Sequence, residues 1–513
     1  MFDTSTILQQ LLRAKHRYKG RVAIIKDEQG QTASYKRLIV GSFALSKKLT
    51  IVTSNNLVGC LLPNSVSALF VFFASLFAHK APAILNYTLP LQVLVSCCRN
   101  ADLDVVITSR LFVEKAGLQT IIEQIEGEGI RVVYLEDVGQ QISRWTKLTA
   151  LIQYMTNRLP VNKSSPEDVA AVLFTSGSEA EPKAVALTHR NILANCAQIL
   201  SVFPIAKDEV IFSALPHFHS FGLTVGVMLP ILHGIRGLIG LSPLRHRENL
   251  ILINSEKPTL MLSTDSFLSQ MLRVASKADL SSLRGIVAGA ERLKERTRRA
   301  YEEGFGIPLY EGYGATELSP VIAVNVPNST KPGTVGRLLP LIEHRIEPLE
   351  GSDEGGLLYV RGPNLMKSYL HDLKAGNNSF QDGWYDTGDI VTMDNEGYLV
   401  LKDRKKRFIK ISGEMISLGF IEEEIGRLSP EHRHAAIAFE LEDKGKPAIF
   451  VYSEDKSLSA DHIRRHFAHG GIRNIYLPKN VTHTAELPLL RTGKVDYRAL
   501  QAHINTSLEA IYA

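Results

Sequence analysis

Cysteine is scarce: the chain has 4 in 513 residues, Cys97 and Cys98 are adjacent, and no CxxC spacing occurs. That excludes a disulfide framework and points to a reducing, cytoplasmic setting. Runs of Lys and Arg interleaved with aromatics are missing too. Although 58 basic against 53 acidic residues leave a net charge of +5, nothing marks a nucleic-acid binder, and a mildly basic surface suits an acidic partner or anionic lipid instead. No long apolar run is present. The best transmembrane candidate, Ser65 to Ala78, covers roughly 14 residues where a bilayer needs roughly 20, so it reads as a buried core helix. The N-terminus has a short amphipathic helical pattern but no basic head, apolar middle or small-residue cleavage site, and the closing Ala-Ile-Tyr-Ala carries no prenylation box. The expectation is a cytoplasmic protein, with peripheral contact at the inner membrane left open. A Walker loop is also absent, because no Gly precedes Lys183 and no Ser or Thr follows it.

An apolar content of 45% over 513 residues is enough for two or more cores. From Val22 to about Val161, and again from Val169 to about Ile322, short apolar runs alternate with helical stretches, the βα rhythm of a largely parallel sheet. After Thr330 the texture becomes turn-rich, with Gly- and Pro-punctuated strands. The cluster Asp403 to Arg407 looks like a hinge, with one small domain's worth of residues beyond it. The expected fold class is α/β: a large N-terminal domain (1–403) of layered α/β subdomains plus a β-rich subdomain, and a small mobile α+β C-terminal domain (404–513).

The chemistry centres on Leu173 to Thr188. A strand from Val169 to Phe174 breaks into Thr175, Ser176, Gly177 and Ser178, with Lys183 beyond. Gly177 permits close backbone approach to an anion, the hydroxyls supply donors, and Lys183 supplies a positive point charge. Taken alone, such a stretch is more often a plain loop. Downstream, in Gly312 to Glu317, an aromatic between glycines can stack on a planar base, while Thr316 and Glu317 offer oxygens to a hard cation such as Mg²⁺. A turn before a Thr-capped helix is the other reading. Trp384 to Asp389 places a carboxylate after a Gly turn, Arg404, Lys406 and Lys410 approach Gly413, and Lys494 sits on a Gly turn near the end of the chain. Strands ending in polar turns at a sheet's carboxyl edge are where open α/β sheets hold ligands.

In this order and spacing the stretches FTSGSE, SALPHFHSFGLTVG, VAGAERL, EGYGATE, KPGTVGR, GWYDTGDI and KRFIKISGEMISL, with PAILNYT earlier, resemble the adenylate-forming superfamily of acyl-CoA synthetases, luciferases and nonribosomal peptide adenylation domains. Within it the likeness is strongest to the acyl-acyl-carrier-protein (acyl-ACP) synthetase half of bacterial bifunctional acylglycerophosphoethanolamine acyltransferase/acyl-ACP synthetases. The acyltransferase half has no counterpart, so the resemblance implies a free-standing synthetase. It implies that Thr175, Ser176, Gly177, Ser178 and Lys183 hold the phosphates of ATP. Tyr313 and Gly314 would lie on adenine near Gly289, Ala290 and Glu291, and Thr316 and Glu317 would organise Mg²⁺. Asp389 and Arg404 would grip the ribose, Lys406 would match the hinge, and Lys494 would bridge the fatty carboxylate and the α-phosphate. Lys410 and Gly413 would serve the thiol step after a swing of the small domain, and His219 would gate the thiol tunnel. The acyl chain would lie near Phe221 to Met228 and Val287 to Ala290.

The implied activity is ATP-dependent activation of a long-chain fatty acid through acyl-AMP, with transfer to the phosphopantetheine thiol of holo-acyl carrier protein. The alternative acceptor is coenzyme A. Arg464, Arg465, Arg473 and Lys479 are candidates for docking the acidic carrier. Two positions depart from the family pattern: Ala180 and Ala184 stand where Gly is usual, and a methyl group restricts positive φ and approach to phosphate. They keep open a remote alternative, a non-catalytic protein that binds fatty acid or nucleotide.

Overall fold

The computed structural model describes residues 5–18, 24–161, 163–175, 182–206, 208–349, 355–376, 380, 382–411, 414–441, 446–489, 495–497 and 499–502, with the backbone alone at 406, 408, 410, 414–415, 440–441 and 446–447. Contacts divide the chain into two compact units, residues 1–177, 181–342 and 361–382 in one and 178–180, 343–360 and 383–513 in the other.

The first unit contains two sheets. One has seven strands, in the order Ser368–Tyr369, Lys183–Thr188, Val169–Thr175, Ala81–Ile84, Leu57–Cys60, Val105–Thr108, Arg131–Tyr134. The other has nine, running from Arg337–Leu338 at one edge through Val321–Val324, Leu309–Gly314, Gly285–Ala288, Leu260–Ser263, Val210–Ser213 and Arg236–Ile239 to Ile25–Asp27 and Thr32–Ala33. Their central pairings are parallel. Strands such as Ala81–Ile84, Val105–Thr108 and Leu260–Ser263 are buried along their whole length, which is why they are short continuous apolar runs rather than alternating ones.

Helices cover the sheets. The apolar run flagged above forms the helix Val66–Phe77, started by the Ser65 side chain on the Ala68 amide and buried over most of its surface. Among the described residues no helix is long and apolar enough to cross a membrane. The helix His189–Val202 follows the strand Lys183–Thr188 without a loop, because Thr188 and Asn191 form a reciprocal capping box. All four cysteines are buried and free. Burial pushes their thiols up to about 12, so they are inert at neutral pH.

In the second unit a four-stranded sheet, Glu343–Pro348, Gly356–Arg361, Tyr385–Met393 and Leu399–Arg404, is the β-rich region that the turn-rich sequence indicates. It is followed by the hairpin Phe408–Ile411 and Glu414–Ser417, a three-stranded sheet, and the helices Leu418–Leu428 and Ala460–His469 around Ile409, Ile416, Ile421, Val451 and Phe467. The α/β class therefore holds. By contacts the four-stranded sheet groups with the segment after 404 rather than with residues before 343.

Candidate active site

The phosphate-loop candidate is flanked by two strands that pair antiparallel. Thr175 pairs with Lys183 across it, and Phe174 with Ala184. Ser176, Gly177, Ser178 and Ala180 lie outside the described residues. Ala184 is buried in an extended strand and is not among the residues with positive φ. The expected restriction on positive φ is corrected at Ala184: the position needs no left-handed conformation, so Ala fits the backbone there without strain.

Lys183 Nζ stands 4.7 Å from the centre of the Tyr369 ring, and the Tyr369 hydroxyl donates to Glu317 Oε1 at 2.8 Å. The phosphate-loop cation and the metal-ligand candidate are thereby joined through an aromatic that sequence reasoning missed. The turn carrying Thr316 and Glu317 is fastened from the same segment: Met366 N donates to Glu317 O at 2.7 Å and Asn364 Nδ2 to Leu318 O at 2.7 Å. No cluster of three His, Cys, Asp or Glu side chains suited to a metal exists among the described residues. One carboxylate and one hydroxyl fit Mg²⁺, which takes one or two protein oxygens and completes its shell with phosphate and water. Thr316 and Glu317 would hold it, and it would supply charge neutralisation on the phosphates.

The three polar turns do share one sheet edge. Val210–Ser213 leads to Pro216–Ser220, Gly285–Ala288 to Gly289–Glu291, and Leu309–Gly314 to Thr316–Glu317, and these strands lie parallel in one sheet. A Cβ on Gly289 would stand 3.3 Å from the Phe221 ring and 3.4 Å from Gly312 O, so glycine there lets the turns close up. Ala290 adopts φ +65. One oxygen of Glu291 accepts the Ser266 amide at 2.8 Å, serving the start of the helix Asp265–Met271. Tyr313 is 8% exposed.

Behind this edge lies a buried ion pair. Arg298 Nη2 donates to Glu311 Oε2 at 3.1 Å with side chains 4% and 8% exposed, and Glu311 Oε1 accepts the Leu293 amide at 3.2 Å. Burial raises the Glu311 carboxyl above its usual range, opposed by the Leu293 amide and Arg298. Glu311 thus ties the turn after Ala288 to the strand bearing Tyr313.

The segment Pro216 to Phe221 is held by Asn64, another residue the sequence did not single out. Its Nδ2 donates to Leu215 O at 2.9 Å and Gly240 O at 3.0 Å, and its Oδ1 accepts the His217 amide at 3.0 Å. His219, half-buried, packs edge-on to Phe218 at 4.8 Å, and Phe218 packs on Tyr87 of PAILNYT at 5.4 Å. Phe221–Met228 then forms a wide π-type helical turn. A Cβ on Gly222 would stand 2.6 Å from the Leu215 carbonyl oxygen and closer still to that of Pro216. Gly222→Ala is expected to cost about 1–3 kcal/mol in urea unfolding and to lower turnover; a loss under about 0.5 kcal/mol would show that the turn relaxes freely.

Two buried histidines give the first unit an acid-sensitive stability. Burial holds His217 down to about 3 and His189, whose Nδ1 accepts the Ile7 amide, down to about 4, from an ordinary 6.5. Both stay neutral in the fold but take up protons near pH 6.5 once unfolded. Their stabilisation is complete above that pH and is lost as pH falls toward the folded values, by up to about 1.4 kcal/mol per pH unit for each. Urea midpoints should fall between pH 7 and 5, with a shallower slope in His217→Asn. Equal slopes would remove His217 from the account.

The second unit carries the remaining candidates. Asp389 and Arg404 face each other across antiparallel strands, Arg404 Nε 3.1 Å from Asp389 Oδ1, with Arg404 69% and Asp389 9% exposed. The carboxylate is fixed and its partner reaches outward, a pairing suited to vicinal hydroxyls. Asp403 accepts from Ser417 Oγ at 2.6 Å and the Gly419 amide at 2.8 Å. Next to the hinge position, Arg407 Nη2 bonds Glu422 Oε1 at 2.9 Å, and Tyr497 Oη donates to both Glu422 oxygens at 3.1 Å. Lys494 and Gly413 lie outside the described residues, as do the side chains of Lys406 and Lys410.

A family model described as AMP-binding enzyme matches residues 11–370. The indoleacetate–CoA ligase of Aromatoleum aromaticum is 31% identical over 373 residues, 70% of this chain and 72% of that protein. The long-chain-fatty-acid–CoA ligase of Yersinia pestis is 27% identical over 540 residues, 97% of this chain and 94% of that protein. Among solved structures, the ATP-bound MatB from Rhodopseudomonas palustris has the same fold, with a TM-score of 0.82 over 97% of this chain and 99% of that one at 22% identity. The family match spans both sheets of the first unit together with the turns at their edges, and the chain belongs to the AMP-binding enzyme family, within the acyl-CoA ligase superfamily.

Proposed function

We propose that this protein is an AMP-forming acid–thiol ligase that activates a long-chain fatty acid with ATP and Mg²⁺ and passes the acyl group to coenzyme A. The alignment with a long-chain-fatty-acid–CoA ligase over 97% of the chain carries this reading. It shifts the acceptor from the carrier protein implied by the sequence motifs to coenzyme A. The fatty carboxylate attacks the α-phosphorus and pyrophosphate leaves; the thiol sulfur then attacks the acyl carbonyl and AMP leaves. Thr175 to Ser178 and Lys183 would hold the phosphates, Tyr313, Gly314 and Gly289 to Glu291 the adenine, and Asp389 and Arg404 the ribose. Lys494 would neutralise charge in the first step. Lys410 and Gly413 would serve the second, after residues 404–513 turn about Lys406, with His219 at the tunnel.

One observation keeps the carrier protein as a second reading. Arg464, ion-paired with Asp461, and Arg465 are exposed on the helix Ala460–His469, with Arg473 and Lys479 exposed beyond it, and such cations suit an acidic partner. The test offers coenzyme A and holo-acyl carrier protein in parallel to purified protein with ATP, Mg²⁺ and labelled palmitate. Acyl-CoA as the main product is expected. Acyl carrier product with little acyl-CoA would reverse the choice, and no acyl-AMP at all would leave the non-catalytic alternative.

A further inference from the structure

The helix Arg144–Met155 is amphipathic the wrong way round. Its outward side chains include Trp145, Leu148, Ile152 and Met155, which are 75%, 44%, 50% and 70% exposed, and their 3-4-3 spacing places them in one stripe. The helix packs against Tyr35–Val52; its less exposed residues are Thr146, Leu151, Gln153 and Tyr154, with Ala150 buried. Four large apolar side chains left exposed in one stripe of a short helix mark a candidate interaction surface.

The charge around the stripe has one sign. From Val138 to Pro166 there is no acidic residue, while Arg144, Lys147, Arg158 and Lys163 are exposed. The amphipathic N-terminal helix Ile7–Arg17 lies against the same helix's last turn: Lys15 Nζ donates to Tyr154 O at 3.0 Å and to Asn157 Oδ1 at 2.9 Å. The same helix carries the exposed Arg13, His16 and Arg17. The nearest acid before the stretch, Asp137, is paired with Arg110.

We propose that the face formed by Trp145, Leu148, Ile152 and Met155, with the cations around it, docks this protein on an anionic lipid surface. Apolar side chains at the acyl boundary, an indole at the headgroup level and Lys and Arg beside them are the pattern of a helix lying in a membrane interface. A second copy of the chain fits less well. Four side chains on one short helix fall short of the roughly 800 Å² per partner of a stable interface, and a twofold pairing would set like charges against each other. The inference rests on this face alone and holds whichever thiol is the acceptor.

The chain has two tryptophans, so Trp384→Phe leaves Trp145 as the sole reporter. With vesicles of phosphatidylglycerol its emission should shift to the blue and the protein should sediment with the lipid, far less so with pure phosphatidylcholine or at high salt. Leu148→Ser with Ile152→Ser should lower the bound fraction about tenfold or more while the thermal melt in solution is unchanged. Arg144→Glu with Lys147→Glu should weaken binding to the anionic vesicles only. Unchanged emission with phosphatidylglycerol, or undiminished binding by the serine variant, would overturn the proposal. A concentration-dependent dimer that the serine variant loses, without vesicle binding, would overturn it in favour of self-association.

Discussion

Lys494→Ala is expected to lower fatty-acid-dependent ATP–pyrophosphate exchange by about 100- to 1,000-fold, the usual loss on removing one group that stabilises developing charge. Thioester formation from supplied acyl-AMP should stay within a few-fold of the parent, because the anhydride is already made. Gly413→Leu should show the reverse, sparing acyl-AMP and blocking the thiol. The described residues on either side of it are fastened: Leu489 bridges Val495, the Asp496 amide donates to Pro488 O at 2.8 Å, and Tyr497 bonds Glu422 beside Arg407. Stopped-flow and quench assays of the two half-reactions separate the outcomes. Matching losses in both steps for both variants would sink the division of labour.

Glu311→Ala has the largest expected effect on stability, about 3–5 kcal/mol by urea unfolding, because it takes from the Arg298 guanidinium its one buried carboxylate partner and leaves it the longer contacts to Glu295 at 3.8 Å, Glu302 at 3.7 Å and Leu309 O at 3.4 Å. It also releases the Leu293 amide, so the turn bearing Gly289 to Glu291 should loosen and the KM for ATP should rise. Glu311→Leu combined with Arg298→Met removes both charges and should recover most of the stability. The KM defect should remain, since no side chain then holds Leu293. A cost below about 1 kcal/mol for Glu311→Ala would mean that water reaches the pair.

Local signals carried far in this chain. The helix His189–Val202 runs where its periodicity indicates, because Thr188 and Asn191 supply its cap within four residues. Gly289 comes against Phe221 and the carbonyl of Gly312 because the strands Val210–Ser213, Gly285–Ala288 and Leu309–Gly314 lie parallel in one sheet. Asp389 and Arg404 come opposite each other because a hairpin of the four-stranded sheet sets their register. What stayed hidden depends on contacts far apart in sequence. Tyr369 reaches Glu317 across 52 residues and Asn64 reaches Leu215 across 151; neither residue type has a local pattern that announces such a role. The same limit explains Ala184, whose neighbourhood reads as loop until the strand Lys183–Thr188 is paired with Val169–Thr175.

On the proposed reading, the turns at the carboxyl edge of the nine-stranded sheet would support formation of an acyl-adenylate. The direct measurement is mass-spectrometric trapping of palmitoyl-AMP from protein, ATP, Mg²⁺ and palmitate with no thiol present, alongside Glu317→Gln. Palmitoyl-AMP in stoichiometric amount, with pyrophosphate released and about 100-fold less in the variant, is the result predicted. ATP that binds without yielding palmitoyl-AMP, or a variant that makes it as fast as the parent, would contradict the account.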